Sequence, residues 1–401
     1  ANEWQFEQNW QLARNTLWAF TLSSRSLRFD KIVNPLSDKD TRSLVLRHSL
    51  NTRTRKDFIR FSQTLESGSG QEPAVEYTYL RVNKGQGYYA WIDINGDSAV
   101  QVSEFALAPF QDQGEYIRFA VTGNQFIRTR NHLFLQNLEI DPSRLSSNKG
   151  SLKWWQRFAL VSNFNVGWKQ TGDHGFRSPF HADSGLAGLQ AQIRNQVFFN
   201  RNRPGFELQA GQLINQNKQL LTTGFENRDL IEYFFRSRLL IHSRVSLESY
   251  LAKQQQKSEL EFFDQRNYSI TSHTMEPRIQ IQASTAMRLT LAFRQKWSHN
   301  RMGSEKSNAR EVRLEGLSQP LNKWSVRSSC SLVGINYDGE NNAWIEYSML
   351  QGLRPGNNLL LSVNVDREIQ KNTMLRLGYD GRKSEKSRFI QTGRVQVIAS
   401  F

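Results

Sequence analysis

The chain has 401 residues and a formal net charge of +15, and only 38% of its residues are hydrophobic. No segment approaches the roughly 20 consecutive apolar residues that a membrane-spanning helix needs, so the sequence excludes a helical membrane protein. It does not exclude a transmembrane β-barrel, in which only every second strand residue faces lipid. The basic residues are scattered, without a basic arm, a zinc-finger spacing or a recognition helix, which argues against a nucleic acid partner. Lipopolysaccharide phosphates or a basic barrel lumen would explain the charge.

Neither the single cysteine nor the first residue identifies the cellular compartment of the protein. Cys330 has no partner for an internal disulfide, and we expect it to pack as a small hydrophobic residue on a strand. The chain begins at Ala1 without a charged and then apolar leader segment. This is compatible with a removed signal peptide or with the C-terminal part of a longer protein.

Residues 1–118 are predicted to form a β-rich N-terminal region. Strand-like runs lie at residues 4–7, 44–47, 58–61 and 77–82, and polar or glycine-rich stretches at 66–70 and 83–87 interrupt them. We interpret these stretches as linkers within a small β-domain attached to the rest of the chain. The alternative is that residues 1–118 supply the first strands of a barrel.

A calcium-binding loop is predicted at residues 93–104. Oxygen ligands follow the spacing of an EF-hand-type loop, with a glutamate at the twelfth position. The predicted ligands are Asp93, Asn95, Asp97, Ala99 through its carbonyl, Gln101 and Glu104. The sixth position, where the sharp turn favours glycine, is Ser98, and Gly96 precedes it by two residues. The loop follows a strand, so we expect a structural Ca²⁺ site; the alternative is a polar turn without metal.

Residues 172–185 contain Asp173, His174, His181 and Asp183, which could hold a transition metal or serve a hydrolase. We interpret this segment as a solvated surface loop. The sequence has no nucleophile elbow, phosphate-binding glycine loop or dinucleotide fingerprint, so we predict that the protein is not an enzyme.

Residues 119–401 alternate between apolar and polar side chains in run after run, which indicates amphipathic strands. Such runs include residues 279–283, 289–294, 343–350, 359–366, 373–380 and 388–401. Polar clusters at 300–308, 338–342, 352–358 and 380–383 are predicted to be turns or loops. We count thirteen or fourteen strands and predict an all-β fold, a transmembrane antiparallel β-barrel of about fourteen strands, give or take about two, since bacterial barrels favour even numbers. A water-soluble β-sandwich is the alternative.

Aromatic residues near the predicted strand ends are typical of an interfacial girdle. They are Trp154, Trp155, Trp168, Tyr250, Trp297, Trp324 and Tyr347. At the C-terminus, Val395, Val397, Ala399 and Phe401 lie on one strand face. This terminal pattern resembles the signal by which outer-membrane assembly machinery recognises its substrates.

Residues 91–97, 104–108 and 110–118 together resemble a segment of large surface proteins of the Bacteroidota. That segment has the form W-I-D-x-N-x-D/N-G, then E-F-E-x-A-x-F-x-D-Q-x-x-Y-I-R, and precedes a C-terminal barrel. The match covers about thirty residues of the chain. The resemblance implies an outer-membrane location and architecture, and a C-terminal portion of a longer protein.

These observations predict a non-enzymatic protein of the bacterial outer membrane, a scaffold or subunit of a cell-surface assembly. Its expected partners are outer-membrane lipid, lipopolysaccharide and other surface proteins. A second hypothesis is an anion-favouring transport pore whose lumen is lined by Arg294, Lys296, Arg376 and Arg394. A third is a barrel-borne hydrolase that uses residues 172–185.

Overall fold

The structure is a computed structural model, and it describes residues 2–27, 41–93, 96–146, 152–171, 179, 186–221, 224–261, 266–319, 324–340, 343–370, 372–385 and 387–399. The first strands are β1 (Asn2–Ala13), β2 (Thr16–Leu27), β3 (Thr41–Arg53), β4 (Ile59–Arg81), β5 (Tyr89–Trp91), β6 (Phe105–Leu107) and β7 (Tyr116–Ile140). They are followed by β8 (Phe158–Thr171), β9 (Leu186–Phe199), β10 (Phe206–Leu221), β11 (Gly224–His242), β12 (Val245–Leu260) and β13 (Tyr268–Ser284).

The remaining strands are β14 (Met287–Asn300), β15 (Lys306–Ser318), β16 (Trp324–Asp338), β17 (Gly356–Gln370), β18 (Thr373–Ser384) and β19 (Ile390–Ala399). An α-helix, α1 (Trp344–Leu350), connects β16 to β17. Short 3-10 turns lie at Arg55–Asp57, Val102–Glu104, Gln111–Gln113, Pro142–Leu145 and Trp154–Arg157. In the described part of the chain, no helix is both long and apolar enough to cross a membrane.

All long strands belong to one antiparallel sheet in which each strand pairs with the next along the chain. Pairing runs from β1 through β2 and β3 to β4, then to β7, and from there strand by strand to β19. The short strands β5 and β6 pair with each other inside the connection between β4 and β7. The protein is therefore all-β, with an up-and-down strand order.

The predicted division between residues 118 and 119 is not present in the sheet, and this corrects the N-terminal domain assignment. β4 pairs with β7 from Ile59↔Ile140 to Arg81↔Tyr116, so the first strands continue directly into the later ones. Residues 66–70, which we interpreted as a linker, lie within β4, where Gly68 is opposite Asn131. The predicted fourteen strands counted from residue 119 become thirteen from β7 onward, and β1–β4 extend the same sheet to seventeen long strands among the described residues.

The strand connections distinguish two rims of the sheet. At one rim, called the short-turn rim, β1–β2, β11–β12, β13–β14 and β17–β18 are joined by two residues each, at 14–15, 243–244, 285–286 and 371–372. At the other, called the long-loop rim, connections include 82–115 and 339–355. The segment 141–157 is a longer connection at the short-turn rim. Two rims of unequal loop length are typical of outer-membrane barrels.

The two faces of the sheet differ in chemistry. One face, called the inner face, lines a cavity of about 1010 Å³ bordered by side chains of β11–β19 and by residues 106–112. The opposite face, called the outer face, carries large apolar side chains in register across neighbouring strands, such as Leu291↔Leu314 and Val312↔Leu332. Leu314 is 52% exposed and Leu332 is 60% exposed. Over β8 and β9 this face is covered instead, and Val166, Trp168, Leu189, Ala191 and Ile193 form a buried cluster.

Two local predictions were wrong. Residues 344–350, which alternate like a strand, form α1, because only seven residues are too few to separate a period of 2 from one of 3.6. The helix ends at Leu350 and is followed by Gln351 and Gly352, both with positive φ. Residues 380–383, predicted as a turn, lie within β18.

Four of the seven residues predicted to form an aromatic girdle are exposed. Trp154, Trp155, Trp297 and Trp324 are exposed, whereas Trp168 is buried and stacks on His132 with ring centroids 4.8 Å apart. Tyr347 lies on α1 and not on a strand. Sequence position alone did not separate aromatic residues that face outward from those that pack within the protein.

Candidate functional site

The connection between β4 and β7, residues 82–115, lies on the inner face and is called the inner segment. Its two ends form a tight neck, in which the amides of Gly85 and Gly87 both donate to the carbonyl of Gly114, at 2.9 and 3.0 Å. A Cβ atom on Gly114 would lie 2.1 Å from the carbonyl oxygen of Gly87. A side chain cannot fit there, so glycine permits this close approach of two backbones.

Aromatic packing continues from the neck into the inner segment. The ring of Phe105 stacks on Tyr79 of β4 with centroids 3.9 Å apart and meets Tyr116 of β7 edge-on at 4.8 Å. Phe105 and Ala106 are buried. This packing holds β6 against the long-loop ends of β4 and β7 and fixes the position of the preceding loop.

The predicted calcium loop brings three carboxylates together. Asp93, Asp97 and Glu104 each offer an oxygen, and these oxygens lie within 4.8 Å of one another. Neither Asp93 nor Glu104 forms an ion pair with a Lys or Arg side chain among the described residues. Three hard oxygen donors at this spacing fit the donor chemistry of Ca²⁺.

Hydrogen bonds within the protein hold the side chain of Glu104 in one orientation. Its side chain is only 2% exposed, and its Oε2 atom accepts hydrogen bonds from the indole Nε1 of Trp91, at 2.8 Å, and from the amide of Gln101, at 3.2 Å. A buried carboxylate costs free energy unless N–H donors or a cation compensate it. The two donors orient Glu104 toward the other two carboxylates.

The turn geometry of the loop agrees with the predicted spacing. Asp93 accepts hydrogen bonds from the amides of Gly96, at 2.8 Å, and Ser98, at 3.0 Å. Ser98 has a φ of 58°, so the serine at the sixth position adopts the left-handed conformation for which this position favours glycine. The loop therefore makes the sharp turn, with a strained non-glycine residue at its centre.

Two other predicted ligands, Ala99 and Gln101, contact the carboxylate of Asp97. The amide of Ala99 donates to Asp97 Oδ1 at 2.7 Å, and the Nε2 of Gln101 donates to Asp97 Oδ2, also at 2.7 Å. Gln101 thus orients Asp97. Asn95 lies outside the described residues, as do Asp173, His174, His181 and Asp183 of the 172–185 loop.

Arg266, in the connection between β12 and β13, fastens the inner segment to α1. Its guanidinium lies 3.9 Å from the ring centroid of Trp344, and its Nη2 donates to the carbonyl oxygen of Phe105 at 3.2 Å. Arg266 is buried, and this burial lowers its pKa to about 10. Ala106, Tyr268 and Met349 pack around the same point.

A second fastening joins the inner segment to β18. Arg382 pairs with Asp112 at 2.6 Å between Nη2 and Oδ2, and its guanidinium lies 4.3 Å from the ring centroid of Phe110. The hydroxyl of Tyr347 on α1 donates to Gln113 at 3.3 Å. The inner segment therefore reaches from β4 and β7 across the inner face to β18.

Charges on the inner face are largely compensated. Glu276 of β13 is 1% exposed and contacts Arg278, Arg294 and Arg313, and Glu311 also pairs with Arg294 and Arg313. These residues come from three adjacent strands. The network neutralises most of the charge on this part of the cavity wall.

Of the four residues predicted to line an anion pathway, Arg294, Lys296 and Arg394 border the cavity. Arg394 pairs with Asp380 at 2.8 Å, and Arg376, which is not among the cavity-lining residues, pairs with Asp366 at 2.8 Å. Lys296 forms no ion pair within the described part of the chain.

The predicted terminal signature lies on the outer face where the structure describes it. Val395 is 75% exposed and Val397 is 63% exposed, and Ala399 is exposed as well. Phe401 lies outside the described residues. Cys330, expected to be buried, is exposed on β16.

Sequence reasoning missed the residues that fasten the inner segment: Arg266, Trp344, Asp112 and Arg382. No periodic or spaced pattern connects positions so far apart in the chain.

No family model matches this chain, and no curated protein matches it. Among solved structures, the ferric-catecholate import receptor Fiu of E. coli K12 is similar with a TM-score of 0.42 and 10% identity, over 95% of this chain and 62% of that one. The chain thus spans less than two thirds of the length of Fiu. A loop L8 deletion mutant of OmpT, an outer membrane protein of Vibrio cholerae, has a TM-score of 0.40 and 8% identity over 99% of both chains. The outer membrane channel DcaP of Acinetobacter baumannii has a TM-score of 0.37 and 10% identity, over 86% of this chain and 98% of that one.

Proposed function

We propose that this chain is an integral protein of the bacterial outer membrane, in which the sheet curls into a β-barrel. The observation that carries the proposal is the contrast between its two faces. Leu314 and Leu332 are exposed on the outer face, while Glu276 and Arg313 lie on the inner face. A water-soluble sandwich would bury the apolar face against a second layer. A barrel in lipid has the opposite arrangement.

Strand length supports the same proposal. Spanning the hydrocarbon takes about 9–11 tilted residues per strand. Most of the long strands exceed this, as β14 does with 14 residues and β16 with 15. Their long-loop ends would project beyond the bilayer.

We propose that the protein acts without catalysis, as a scaffold or subunit of a cell-surface assembly, in a Bacteroidota bacterium as the resemblance implies. The inner segment and α1 occupy space on the inner face, fastened by Arg266 and Arg382. Because these contacts hold the inner segment and α1 in place on the inner face, they support a structural role more than a conducting one.

The alternative, an anion-favouring pore, is supported by the cavity of about 1010 Å³ and by Lys296 on its wall. The paired state of Arg294 and Arg394 weakens it, because compensated charges attract anions less. Planar-bilayer recordings separate the two: the scaffold predicts no stable channel events, and the pore predicts steady conductance with anion preference.

We also propose that Asp93, Asp97 and Glu104 hold a structural Ca²⁺, with the Ala99 carbonyl, Asn95 and Gln101 as the further ligands that the spacing assigns. The support is the convergence of the three carboxylates and the left-handed turn at Ser98. A bound cation would cross-link the loop between β5 and β6.

Lipid and lipopolysaccharide are the proposed partners of the outer surface. Near the long-loop rim, a surface cavity of about 610 Å³ is lined by aromatic and basic side chains, including His273, Trp297, His299, Arg301 and Lys306. Tryptophan is enriched at membrane–water interfaces, so Trp297 would lie at the level of the lipid headgroups. The basic side chains would then contact headgroup phosphates.

The membrane proposal has a direct test in purified protein. A folded barrel in detergent migrates differently on a gel before and after boiling, whereas a water-soluble sandwich partitions into the aqueous phase without detergent. Aqueous partitioning together with unchanged mobility would contradict the proposal.

A further inference from the structure

One lysine on the wall of the inner cavity has no carboxylate partner. Lys296 of β14 borders the cavity of about 1010 Å³, and it forms no ion pair among the described residues. Every described carboxylate that borders the cavity pairs with an arginine instead. These pairs are Asp112 with Arg382, Glu311 with Arg294 and Arg313, Glu315 with Arg313, and Asp380 with Arg394. Lys296 therefore brings a positive charge to the wall that no neighbouring acid compensates.

Small side chains surround Lys296 on the inner face. Its cross-strand neighbours are Thr274 on β13 and Ala309 on β15. Toward the long-loop rim, the next residue of β14 on this face is Ser298, whose hydroxyl lies 2.9 Å from that of Ser272. Side chains of this size fill little of the space in front of the wall. The cavity accordingly extends to the lysine side chain.

The cavity wall becomes apolar two strands away from Lys296. Ala309 lies between Lys296 of β14 and Ile335 of β16 in one cross-strand row. Ile335, Val333 and Leu350 form an apolar cluster against which Ala309 packs, and all four residues border the cavity. Two strand spacings, about 10 Å, separate the backbone of Lys296 from that of Ile335. The same small volume therefore contacts both a cation and an apolar surface.

From this arrangement we infer that the cavity is a binding site for a small organic anion, in which one carboxylate or phosphate group is attached to an apolar body. The anionic group would contact Lys296, and the apolar body would pack on Ile335 and Leu350. A charge away from bulk water costs free energy until a counter-charge compensates it. Pockets for small molecules likewise combine an apolar lining with a few placed polar groups. The inference goes beyond the proposed structural role and requires no conduction through the barrel.

Chemical protection of Lys296 tests the site in the full chain, folded in a neutral detergent. Reductive methylation of each lysine is followed by mass spectrometry, with phenyl phosphate or benzoate as the probe. A saturating probe should slow methylation of Lys296 at least about fivefold, because a pocket encloses most of the surface of its ligand. Lys253, exposed on β12 and opposite His273, is the internal control and should react at an unchanged rate. If neither probe slows the methylation of Lys296, the inference is overturned.

Two half-ligands separate the contribution of the charge from that of the apolar body. Inorganic phosphate has the charge without the body, and benzyl alcohol has the body without the charge. At the concentration at which phenyl phosphate saturates the site, each should slow methylation of Lys296 less than about twofold. Protection by inorganic phosphate equal to that by phenyl phosphate would indicate a simple anion site. Equal protection by benzyl alcohol would indicate an apolar site, and either result overturns the proposed class of ligand.

Substitution of Lys296 tests the contribution of its charge to binding. Lys296→Met keeps the length of the side chain and removes the charge, so the calorimetric affinity for phenyl phosphate should fall at least about tenfold. Lys296→Arg retains the charge and should retain most of the affinity, and Lys253→Met is the matched control with unchanged affinity. An unchanged affinity in Lys296→Met contradicts the inference. Heat-modifiable mobility of the same samples shows whether each variant is folded and tests the membrane proposal separately from ligand binding.

Discussion

The Arg382 guanidinium lies 2.6 Å from the Asp112 carboxylate, although the two residues are 270 positions apart in the chain. Both side chains are mostly buried, and Phe110 covers the guanidinium. This pair joins the inner segment to β18, while the neck at Gly85, Gly87 and Gly114 holds its two ends together beside β4 and β7. The inner segment is therefore held at two separate places.

Removing this contact should release the inner segment from β18. Arg382→Ala leaves Asp112 without its cation, and we expect a loss of about 1–3 kcal/mol in local stability. Hydrogen exchange of residues 105–115 should accelerate. The matched control is Arg376→Ala on the same strand, which removes an exposed pair with Asp366 and should leave that exchange unchanged. Equal exchange in both variants would contradict the fastening role.

The neck of the inner segment should tolerate no side chain. Gly114→Ala places a Cβ within 2.1 Å of the Gly87 carbonyl oxygen, so the backbones must separate and hydrogen bonds must be lost. We expect faster tryptic cleavage after Lys84. Gly393→Ala on β19 is the control, because a Cβ atom added there would meet nothing within 4 Å. A cleavage rate at Lys84 unchanged by Gly114→Ala would show that the neck is not tight.

Calcium binding should depend on Glu104 and be visible through Trp91. The indole lies 2.8 Å from Glu104 Oε2, so Tb³⁺ bound in the loop should be excited through Trp91 and displaced by Ca²⁺. Glu104→Gln should weaken Ca²⁺ at least about tenfold, because it removes the bidentate carboxylate at position twelve. The control variant Glu115→Gln, which lies outside the loop, should bind Ca²⁺ with unchanged affinity. If Glu104→Gln showed the same terbium emission as the unmodified chain, Glu104 would not bind the ion and the proposed site would be contradicted.

The alternation of side chains was the part of the fold that the sequence made predictable. Leu291 and Phe293 on one face and Arg294 on the other were assigned correctly, because strand period directly reflects which face a residue occupies. The short α1 was missed, since its seven residues also fit a period of two. Gly68 and its neighbours were misread as a linker, although they pair with β7 along most of their length.

The candidate site was predictable only where its residues are close in sequence. The spacing from Asp93 to Glu104 placed three carboxylates together, as the structure shows. The contacts of Arg266 with Phe105 and Trp344 join three segments that are distant from one another in the chain. No local pattern contains that information.

The most direct test of the membrane proposal compares two arginine substitutions on β16 during folding into lipid vesicles. Leu332 is on the outer face and 60% exposed, whereas Ser329 borders the cavity on the inner face. Leu332→Arg should cost about 2–4 kcal/mol of folding free energy, as a charge at the bilayer midplane does, and Ser329→Arg should cost less. If Leu332→Arg folds as stably as the unmodified chain, the outer face does not contact lipid and the proposal fails.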